Sequence, residues 1–415
     1  MKVIIIGAGF AGLNAAKSIA KLKDVKIQII DRHNYHLFQP LLYQVATAGL
    51  NPADIATPIR AQLSNYKNIE IILDEVIHIN RDEKVVQTKE RTLNYDRLII
   101  ATGAKNFYFG NTQWATLAPG LKGLEDATEI RRRLFLAFEN AEKAQDESLR
   151  KKLMTFVLIG AGPTGVELAG AFAEIAHQVL AKDFRHIKPE QSQVILIEAG
   201  PRILPSFNEK MSARAKKDLE AMGVSVLTNT KVIDITSDAV ILTDGKIETQ
   251  TIAWSAGVTP SPLAKTLGVE LDRRGRVPVD QSMGLKQDSN IFVLGDLAAF
   301  DTKDGTLPGV ASVAIQQGRF MGKIIKADID IKPKPPFKYL DKGQMATIGR
   351  KKAVLQVGKI SFGGTLAWYA WLFVHLYYLI GFRNRFMVFL QWAWSYLTFK
   401  RGARIITPPR TSEDN

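Results

Sequence analysis

The sequence predicts an α/β fold made of two similar strand–turn–helix units, followed by a C-terminal region of amphipathic helices. Two observations predict the paired units: a glycine-rich segment occurs twice, and each copy is followed by the same series of strands at the same spacing. A third observation predicts the C-terminal region, since residues 366–399 are much richer in Trp, Tyr and Phe than the rest of the chain.

The first copy of the repeat reads VIIIGAGFAGLNAAKSIA (3–20), and the second reads FVLIGAGPTGVELAGAFA (156–173). Each copy begins as an apolar strand, turns at Gly-x-Gly-x-x-Gly and continues with helical spacing. Each unit closes with an apolar strand and a turn of small residues, LIIATGA (98–104) in the first and TIAWSAG (251–257) in the second. We therefore expect two Rossmann-like dinucleotide-binding units.

The spacing within the two copies supports a duplicated unit. Gly7 and Gly103 are 96 positions apart, and Gly160 and Gly257 are 97 apart. Between the copies, residues 125–150 predict a connecting helix.

The first glycine fingerprint predicts a phosphate cradle. The first glycine allows a tight turn, the second lets the backbone approach a pyrophosphate, and the third lets helix and strand pack closely. These glycines are Gly7, Gly9 and Gly12, and Asp31 lies 24 positions after Gly7, where a carboxylate can accept hydrogen bonds from ribose hydroxyls.

The second fingerprint repeats this design with Gly160, Gly162, Gly165 and the acid Glu198. Its acid is 38 positions from Gly160, because residues 178–192 have the composition of an inserted loop. A carboxylate at this strand end would repel a 2′-phosphate, which favours NADH over NADPH, although Arg202 is close in sequence.

Two cradles indicate two dinucleotides, and a hydride donor with a flavin is the obvious pair. The strand NIFVLGD (290–296) favours FAD in the first unit, because Asp296 can bond a ribitol hydroxyl. A helix N-cap is the alternative role for Asp296.

The composition limits the chemistry. The formal net charge of +14 suggests an anionic partner, and without a recognisable nucleic-acid module a lipid surface is preferred to nucleic acid.

The chain has no cysteine, which excludes disulfide and thiolate chemistry, and its histidines show no metal-like spacing, so we expect no metal. The N-terminal apolar run is too short for a signal peptide, so we expect the chain to stay in the compartment where it is made.

Several segments resemble the type II NADH dehydrogenases, which are single-chain, non-proton-pumping NADH:quinone oxidoreductases of the two-dinucleotide-binding-domain flavoproteins. The resemblance covers nearly the whole chain. Beyond the two fingerprints, it rests on HLFQPLLYQVATAGLNPADIATPIR (36–60), TLAPGLKGLEDATEIRRR (116–133), SVAIQQG (312–318) and HLYYLIGFRNR (375–385).

The resemblance implies a glutathione-reductase-like arrangement in which non-covalent FAD occupies the first unit and NADH the second, which is inserted in the first. We expect an FAD-binding domain at 1–115 and 263–330, an NADH-binding domain at 116–262, and a membrane-anchoring and dimerisation region at 331–415. The predicted cofactor-binding set comprises Gly7, Gly9, Phe10, Ala11, Gly12, Asp31, Arg32, Gln44, Val76, Ala101, Thr102, Gly103, Gly160, Gly162, Pro163, Thr164, Gly165, Glu167, Glu198, Ala256, Gly257, Gly295, Asp296, Ala314 and Gln316.

Four residues are predicted to act at the reacting centre. Glu167 either serves only the helix dipole or points to the nicotinamide–flavin interface, where it bonds the nicotinamide amide or assists proton supply to the quinone. Gln316 and Gln317 lie in a predicted helix whose N-terminus would face a reduced flavin, and the resemblance assigns Gln317 to a quinone carbonyl. His375 is predicted to turn inward towards a quinone tunnel.

The aromatic C-terminal stretch predicts two short helices, at 366–380 and 386–399, separated by Gly381–Arg385. Each helix is shorter than the roughly 20 residues needed to cross a bilayer. We therefore expect interfacial helices, held on anionic lipid by Arg383, Arg385, Lys400, Arg401 and Arg404, with a dimer interface as the alternative.

The sequence thus predicts a homodimeric, monotopic enzyme on the cytoplasmic face of the cell membrane that oxidises NADH, reduces a quinone through FAD and does not pump protons. One alternative is a ferredoxin- or rubredoxin-linked NAD(P)H reductase. The other is a non-catalytic, flavin-containing membrane-associated protein.

Overall fold

The computed structural model describes residues 1–181, 183–398 and 401–406, in two compact units. The first unit consists of Met1–Leu37, Ala56–Lys105 and Val258–Lys342. The second unit consists of Phe38–Ile55, Asn106–Gly257 and the described residues from Gly343 onward. Phe38–Ile55 was expected in the FAD-binding domain, and the C-terminal region was expected to be separate. Both belong to the second unit, because their contacts are made there.

The first unit is built on a six-stranded sheet whose strands are parallel except at one edge, where Gly284–Leu285 is antiparallel to its neighbour. The central strand is buried because every residue of Val3–Ile6 is apolar, as expected for a parallel sheet covered on both faces. In spatial order the strands are Gly284–Leu285, Asp288–Val293, Arg97–Ile100, Lys2–Ile6, Lys26–Asp31 and Ile69–Leu73.

Two helices pack together in this unit: the first fingerprint helix (Phe10–Ile19) and the Gln-Gln helix (Ala311–Ile329). A Cβ added to Gly318 would lie 2.2 Å from the Ala11 carbonyl oxygen, so only glycine permits this close approach. Further helical segments of this unit are Ile59–Leu63, Pro262–Leu267 and Gly295–Leu297. Three strands form an antiparallel meander: Val76–Asn80, Val85–Thr88 and Thr92–Asn94. The other short strands are Tyr35–Leu37, Ala56–Pro58, Ala104–Asn106, Val258–Pro260, Val277–Pro278, Ala298–Ala299, Asp301–Thr302 and Gly305–Thr306.

The second unit repeats the design. Its parallel sheet runs Val224–Leu227, Gln193–Ile197, Thr155–Ile159, Thr251–Trp254, and the second fingerprint helix (Pro163–Glu174) follows the strand Thr155–Ile159. In both units a three-stranded antiparallel meander lies, in chain order, between the third and fourth strands of the parallel sheet. In the second unit its strands are Val232–Ile235, Ala239–Leu242 and Gly245–Glu248. The predicted α/β fold with two related units is confirmed.

The predicted connecting helix forms as two helices, Leu124–Lys143 and Glu147–Leu153. The break occurs because the Asp146 carboxylate caps the second helix, accepting hydrogen bonds from the backbone N–H groups of Ser148 and Leu149. Further helical segments are Gln39–Leu41, Leu42–Ala46, Pro52–Ile55, Trp114–Leu117, Ile175–Val179, Pro189–Gln191 and Glu209–Glu220.

The C-terminal region begins with an antiparallel sheet of strands Gln344–Gly349, Lys352–Val357 and Ile360–Gly363. This sheet packs on the second fingerprint helix so closely that a Cβ on Gly170 would lie 1.7 Å from the Ile348 carbonyl oxygen. The region is therefore part of the second unit's core rather than a separate module.

Two helices follow, the first C-terminal helix (Thr365–Tyr378) and the second C-terminal helix (Phe382–Thr398). The break between them comes before the basic residues, which differs from the expected linker at Gly381–Arg385. Arg385 lies in the second helix and donates hydrogen bonds to the carbonyls of Tyr377 (2.8 Å) and Leu379 (2.6 Å) at the end of the first. Lys400 lies outside the described residues. Among residues 1–181, 183–398 and 401–406, no helix is both long enough and apolar enough to span a membrane.

Candidate dinucleotide sites and a cavity beside Glu167

The first glycine turn has the geometry of a phosphate cradle. Gly7 has φ +95°, and a Cβ there would lie 2.5 Å from the Ala101 carbonyl oxygen. A Cβ on Gly12 would lie 1.8 Å from the Gly7 carbonyl oxygen, so helix and strand meet only because both residues lack side chains. By contrast, a Cβ on Gly9 would meet no atom within 4 Å. The turn is closed on the protein side and open where a phosphate would lie.

The acid of the first fingerprint is held by the turn itself. One Asp31 carboxylate oxygen accepts from the Ala8 N–H at 2.6 Å, and the other accepts from the His33 N–H at 2.8 Å. These bonds fix the carboxylate beside the glycine turn and leave lone pairs for a ribose hydroxyl.

Two buried polar atoms near this turn lack hydrogen-bond partners among the described residues, the Thr102 hydroxyl and His36 Nε2. His36 is oriented by its Nδ1, which lies 2.9 Å from the Ala8 carbonyl oxygen, and by the edge of the Phe10 ring. Buried polar groups are almost always satisfied in folded proteins. A bound group with several hydrogen-bonding atoms fits this site, and FAD is such a group.

The structure places other predicted residues of the first unit as follows. Gly295 has φ +68° and donates its N–H to Gln317 Oε1 at 2.7 Å, so the buried Gln317 supports the Gly295–Asp296 turn. Asp296 is not an N-cap, because it lies inside the short helix Gly295–Leu297, whose cap position is Leu294. The Gln316 side chain makes two hydrogen bonds with the Leu340 backbone. Its Nε2 donates to the Leu340 carbonyl oxygen at 2.9 Å, and its Oε1 accepts from the Leu340 N–H at 3.0 Å.

The remaining predicted positions of the first unit show a range of exposure. Ala11, Ala101 and Ala314 are buried, Gly103 is in a left-handed conformation at φ +64°, Val76 begins a strand, and Arg32 is exposed.

The second glycine turn repeats the first. Gly160 has φ +96°, a Cβ on Gly165 would lie 1.8 Å from the Gly160 carbonyl oxygen, and a Cβ on Gly162 would meet no atom within 4 Å. Glu198 is held as Asp31 is, accepting from the N–H groups of Ala161 and Gly200, each at 2.8 Å. Both turns therefore have an open cradle beside a carboxylate fixed by the backbone.

Arg202, the one nearby cation that the sequence raised against NADH selectivity, is bound elsewhere. Its guanidinium donates to the carbonyl oxygens of Phe207 at 2.6 Å and Pro205 at 2.9 Å. Pro163 and Thr164 are exposed at the start of the second fingerprint helix. A Cβ on Gly160 would lie 2.6 Å from the Ala256 Cα, so the turn at Ala256–Gly257 borders the same cradle.

A separate cavity of about 550 Å³, including its open mouth, lies in the second unit. Its walls come from the second fingerprint helix, the segment 43–49, the C-terminal sheet and both C-terminal helices. Lining residues include Tyr43, Gln44, Glu167, Glu174, Trp371, Tyr396 and Arg401. The structure thus brings together two of the predicted residues, Glu167 and Gln44.

Glu167 is the unusual acid of this cavity. Burial raises the pKa of its carboxyl from 4.5 to about 8, and the Thr347 N–H at 3.4 Å and the nearby Trp371 indole only partly oppose the rise. The part of its surface that stays accessible lines the cavity. Such a carboxyl is mostly protonated at neutral pH, so favouring the helix dipole, which needs a charged carboxylate, does not account for it.

The neighbours of Glu167 supply further hydrogen-bonding groups. Burial raises the pKa of the Tyr43 hydroxyl, and the charge of Glu167 raises it further, so the hydroxyl stays protonated. The Tyr43 hydroxyl accepts from Gln44 Nε2 at 2.9 Å, while Gln44 Oε1 accepts from the Trp392 indole at 2.7 Å. The buried indole of Trp371 also lines the cavity, beside the Glu167 carboxyl.

The other acid of the cavity, Glu174, is paired. It accepts from the Arg350 N–H at 2.6 Å and from the Arg401 guanidinium at 2.8 Å, and Arg401 also donates to the Thr47 carbonyl oxygen at 2.8 Å. Arg401 was predicted to contact lipid; instead it is largely buried in this network. Arg404 pairs with Asp183. No local sequence pattern indicates these pairs, because the partners are far apart in the chain.

His375 turns inward, but it lies behind the cavity wall. Its ring stacks on Trp371 with centroids 4.0 Å apart, and its Nδ1 lies 2.7 Å from the Trp371 carbonyl oxygen. Burial lowers the pKa of its imidazole to about 4, so the ring is neutral at pH 7. His375 thus positions Trp371. Gln316 and Gln317 belong to the first unit.

Sequence reasoning missed Tyr43 and Trp371 in the cavity. It also missed the loop Phe107–Gly110, whose exposed Phe rings lie beside Gly257. Three consecutive aromatic residues before a glycine were the available signal for that loop. No group of three or more His, Asp or Glu side chains suited to a metal ion occurs in the part of the chain that the structure describes.

Comparisons with known proteins agree with this geometry. Residues 1–318 match the family model of pyridine nucleotide-disulphide oxidoreductases, and residues 342–401 match the NDH2 C-terminal domain. The chain is 42% identical to the type II NADH:quinone oxidoreductase Ndh of Mycobacterium tuberculosis, over 98% of this chain and 90% of the relative. The chain belongs to the type II NADH:quinone oxidoreductase family.

Other matches are consistent with membership of this family. NdhA of M. tuberculosis, also a type II NADH:quinone oxidoreductase, is 44% identical over 98% of this chain and 89% of its own. The NDH2 structure from Plasmodium falciparum in complex with NADH superposes with a TM-score of 0.89 at 20% identity, covering 98% and 99% of the two chains. The sulfide:quinone oxidoreductase of Aquifex aeolicus gives 0.74 at 23% identity, covering 92% of this chain and 91% of its own. These two structures show the fold alone.

The family confirms the predicted resemblance and the predicted enzyme class. The chain is therefore an enzyme, a flavoprotein of the NADH dehydrogenase type, and the non-catalytic alternative is wrong.

Proposed function

We propose that this enzyme is a monotopic membrane protein that oxidises NADH and reduces a membrane quinone through non-covalent FAD, without pumping protons. The net reaction is NADH + H⁺ + quinone → NAD⁺ + quinol. The observation that carries the proposal is the repeated cradle, in which Asp31 and Glu198 are fixed in the same way beside open glycine turns. One chain with two such cradles is suited to binding two dinucleotides.

In the first unit, the glycine turn and Asp31 would hold the pyrophosphate and adenosine ribose of FAD, with Asp296 on the ribitol. The unpaired Thr102 hydroxyl and His36 Nε2 would bond the same group. FAD, when bound, supplies a carrier that takes a hydride from NADH and passes two electrons to the acceptor. The buried Gln317 keeps the Gly295 turn in place, and its amide N–H remains our predicted contact for a quinone carbonyl.

In the second unit, Gly162, Gly165 and Glu198 would hold NADH. Glu198 carries a negative charge where NADPH has its 2′-phosphate, and Arg202 does not compensate, because its donors are used by Pro205 and Phe207. Selectivity for NADH follows from this pair of observations.

The cavity beside Glu167 supplies protons and hydrogen bonds for quinone reduction. Quinone becomes quinol by taking up two electrons and two protons. A carboxyl with a pKa of about 8 is protonated at neutral pH and can donate its proton to a quinone oxygen that gains negative charge. The Tyr43 hydroxyl and the Trp371 N–H are neutral donors on the same wall.

The membrane surface is formed by the outward faces of the C-terminal helices. Phe373 on the first helix is 70% exposed and Leu397 on the second is 82% exposed. They belong to two stripes at helical spacing: Leu366, Tyr369, Phe373 and Tyr377, and then Phe382, Phe386, Phe389, Leu390, Trp394 and Leu397. Exposed Arg383 stands at the start of the second stripe.

We assign the surface formed by these two apolar stripes to the bilayer interface on the cytoplasmic side, with Arg383 at anionic headgroups. The aromatic content and the adjacent cation favour lipid over a second copy of the chain. A homodimer stays a prediction.

Purification in detergent followed by a visible spectrum and steady-state assays tests the function. We expect a yellow protein that oxidises NADH with a short-chain quinone and prefers NADH to NADPH. A colourless protein, or one that reduces ferredoxin but not quinone, would contradict the proposal.

Substitution of Phe373→Ser together with Leu397→Ser tests the membrane surface. We expect the variant to leave anionic vesicles while keeping FAD and its activity with a short-chain quinone. Ile233→Ser, an exposed apolar residue on the meander of the same unit, is the matched control. Vesicle binding equal to wild type would refute the assignment, and loss of self-association instead would show a dimer surface.

A further inference from the structure

Two exposed aromatic rings stand at the edge of the second unit. Phe107 is 37% exposed and Phe109 is 59% exposed, and their ring centroids are 4.7 Å apart. Exposed apolar side chains are common on protein surfaces, so the backbone and the neighbours of this pair decide what it does.

Phe109 is held in an unfavourable backbone conformation. Its φ is +51°, in the left-handed region that bulky residues avoid, and Gly110 follows at φ +91°. Strain of this kind persists only where the surroundings impose it, and it concentrates at ligand sites.

The surroundings that impose it are rigid. The intervening Tyr108 stacks on the buried Trp254 at 5.1 Å and donates its hydroxyl to the Ala118 carbonyl oxygen at 3.0 Å. The Trp254 indole donates to the Phe107 carbonyl oxygen at 3.0 Å. Half-buried Tyr108 and buried Trp254 thus anchor the loop and direct the two Phe rings outward.

The rings stand over the turn that borders the second cradle. A Cβ on Gly257 would lie 3.2 Å from Phe109 Cζ and 3.8 Å from Phe107 Cδ1. The Phe107 N–H also donates to the Gly257 carbonyl oxygen at 3.3 Å. Gly257 follows Ala256, which borders Gly160, so the rings and the cradle share one edge of the sheet.

The strand order indicates which half of NADH reaches the rings. Gln193–Ile197, which precedes Glu198, and Thr251–Trp254, which precedes Gly257, flank the central strand Thr155–Ile159 on opposite sides. With the adenosine ribose at Glu198 and the pyrophosphate over the central turn, the other half of the dinucleotide extends towards Gly257.

We propose that Phe107 and Phe109 form an aromatic wall that packs against the nicotinamide riboside half of NADH. The inference rests on the proposed placement of NADH at the second cradle. Phe109 is the stronger contact, because it is the more exposed ring and lies nearer to Gly257. Aromatic contact holds the ring without hydrogen bonds, so the wall would bind the neutral ring of NADH and the pyridinium ring of NAD⁺, the second with an added cation–π attraction.

Phe109→Ala tests the wall by equilibrium binding, with NAD⁺ as the complete ligand and ADP-ribose as the ligand without nicotinamide. We expect the NAD⁺ dissociation constant to rise about fivefold or more, equivalent to about 1 kcal/mol at 1.4 kcal/mol per factor of ten. The ADP-ribose constant should stay within about twofold. Phe109→Tyr, which keeps the ring, should restore NAD⁺ binding.

Three results would overturn the proposal: unchanged NAD⁺ binding in Phe109→Ala, equal weakening of NAD⁺ and ADP-ribose, or no recovery in Phe109→Tyr. A thermal midpoint equal to wild type, expected because Phe109 is exposed, separates binding from misfolding. Because both ligands are measured without turnover, a wild-type protein that failed to reduce quinone would refute the proposed function while leaving this binding test valid.

Discussion

Glu167→Gln removes a buried acid whose pKa differs strongly between the folded and the unfolded chain. The pKa of Glu167 is about 8 in the folded protein and 4.5 in the unfolded chain. Between these values the folded state holds the extra proton, so the stability of wild type falls as pH rises. The loss is up to about 1.4 kcal/mol per pH unit, or about 3 kcal/mol between pH 4.5 and pH 7. A glutamine has no charge to bury and avoids the loss.

Thermal unfolding of the FAD-bound proteins between pH 5 and pH 9 measures this effect. Wild type and Glu167→Gln should have similar midpoints near pH 5, and the variant should be higher by several degrees at pH 8, at about 2 °C or more per kcal/mol for a unit of this size. Glu139→Gln, at an exposed site on the connecting helix, is the control. Parallel curves for wild type and Glu167→Gln would refute the raised pKa and with it the protonated donor.

The variant should also keep FAD but turn over at least about tenfold more slowly with quinone, since a positioned acid contributes that much or more.

Further predictions concern the second unit. Gly165→Ala places a Cβ 1.8 Å from the Gly160 carbonyl oxygen, so it should abolish NADH oxidation while the protein stays yellow, and retained NADH affinity would contradict the cradle. Arg401→Met leaves Glu174 without its cation and should destabilise the unit by about 3 kcal/mol in thermal or denaturant unfolding; adding Glu174→Gln should recover most of the loss, and no recovery would refute the pairing. Arg385→Ala frees two terminal carbonyls of the first C-terminal helix and should cost about 1 kcal/mol in the same assay, whereas an unchanged midpoint would show that the cap adds nothing.

Local sequence patterns predicted the fold of the two units because the glycine fingerprint is a local requirement. Gly7 and Gly160 adopt backbone conformations that disfavour other residues, and Gly12 and Gly165 leave no room for a Cβ. The apolar strands on either side predict the sheet, and the repeated spacing predicts that the second unit has the same design as the first.

The cavity could be predicted only in part, because its walls meet over long sequence distances. Glu167 was expected from its position after the second fingerprint, but its high pKa depends on burial beneath the C-terminal sheet and helices. Arg385 and Arg401 look like membrane-binding cations in the sequence, whereas the structure uses them for hydrogen bonds within the protein. Arg385 is exposed, as Arg383 is, and sequence alone does not show that the Arg385 guanidinium also binds the end of the first C-terminal helix.

An anaerobic titration of the purified protein tests the central claim most directly. One equivalent of NADH should bleach the flavin spectrum, and one equivalent of short-chain quinone should then restore it, with one quinol formed per NADH. Gly165→Ala should be bleached by dithionite but not by NADH. A flavin that NADH bleaches and quinone does not restore, or quinol formed without any change in the flavin spectrum, would contradict the account.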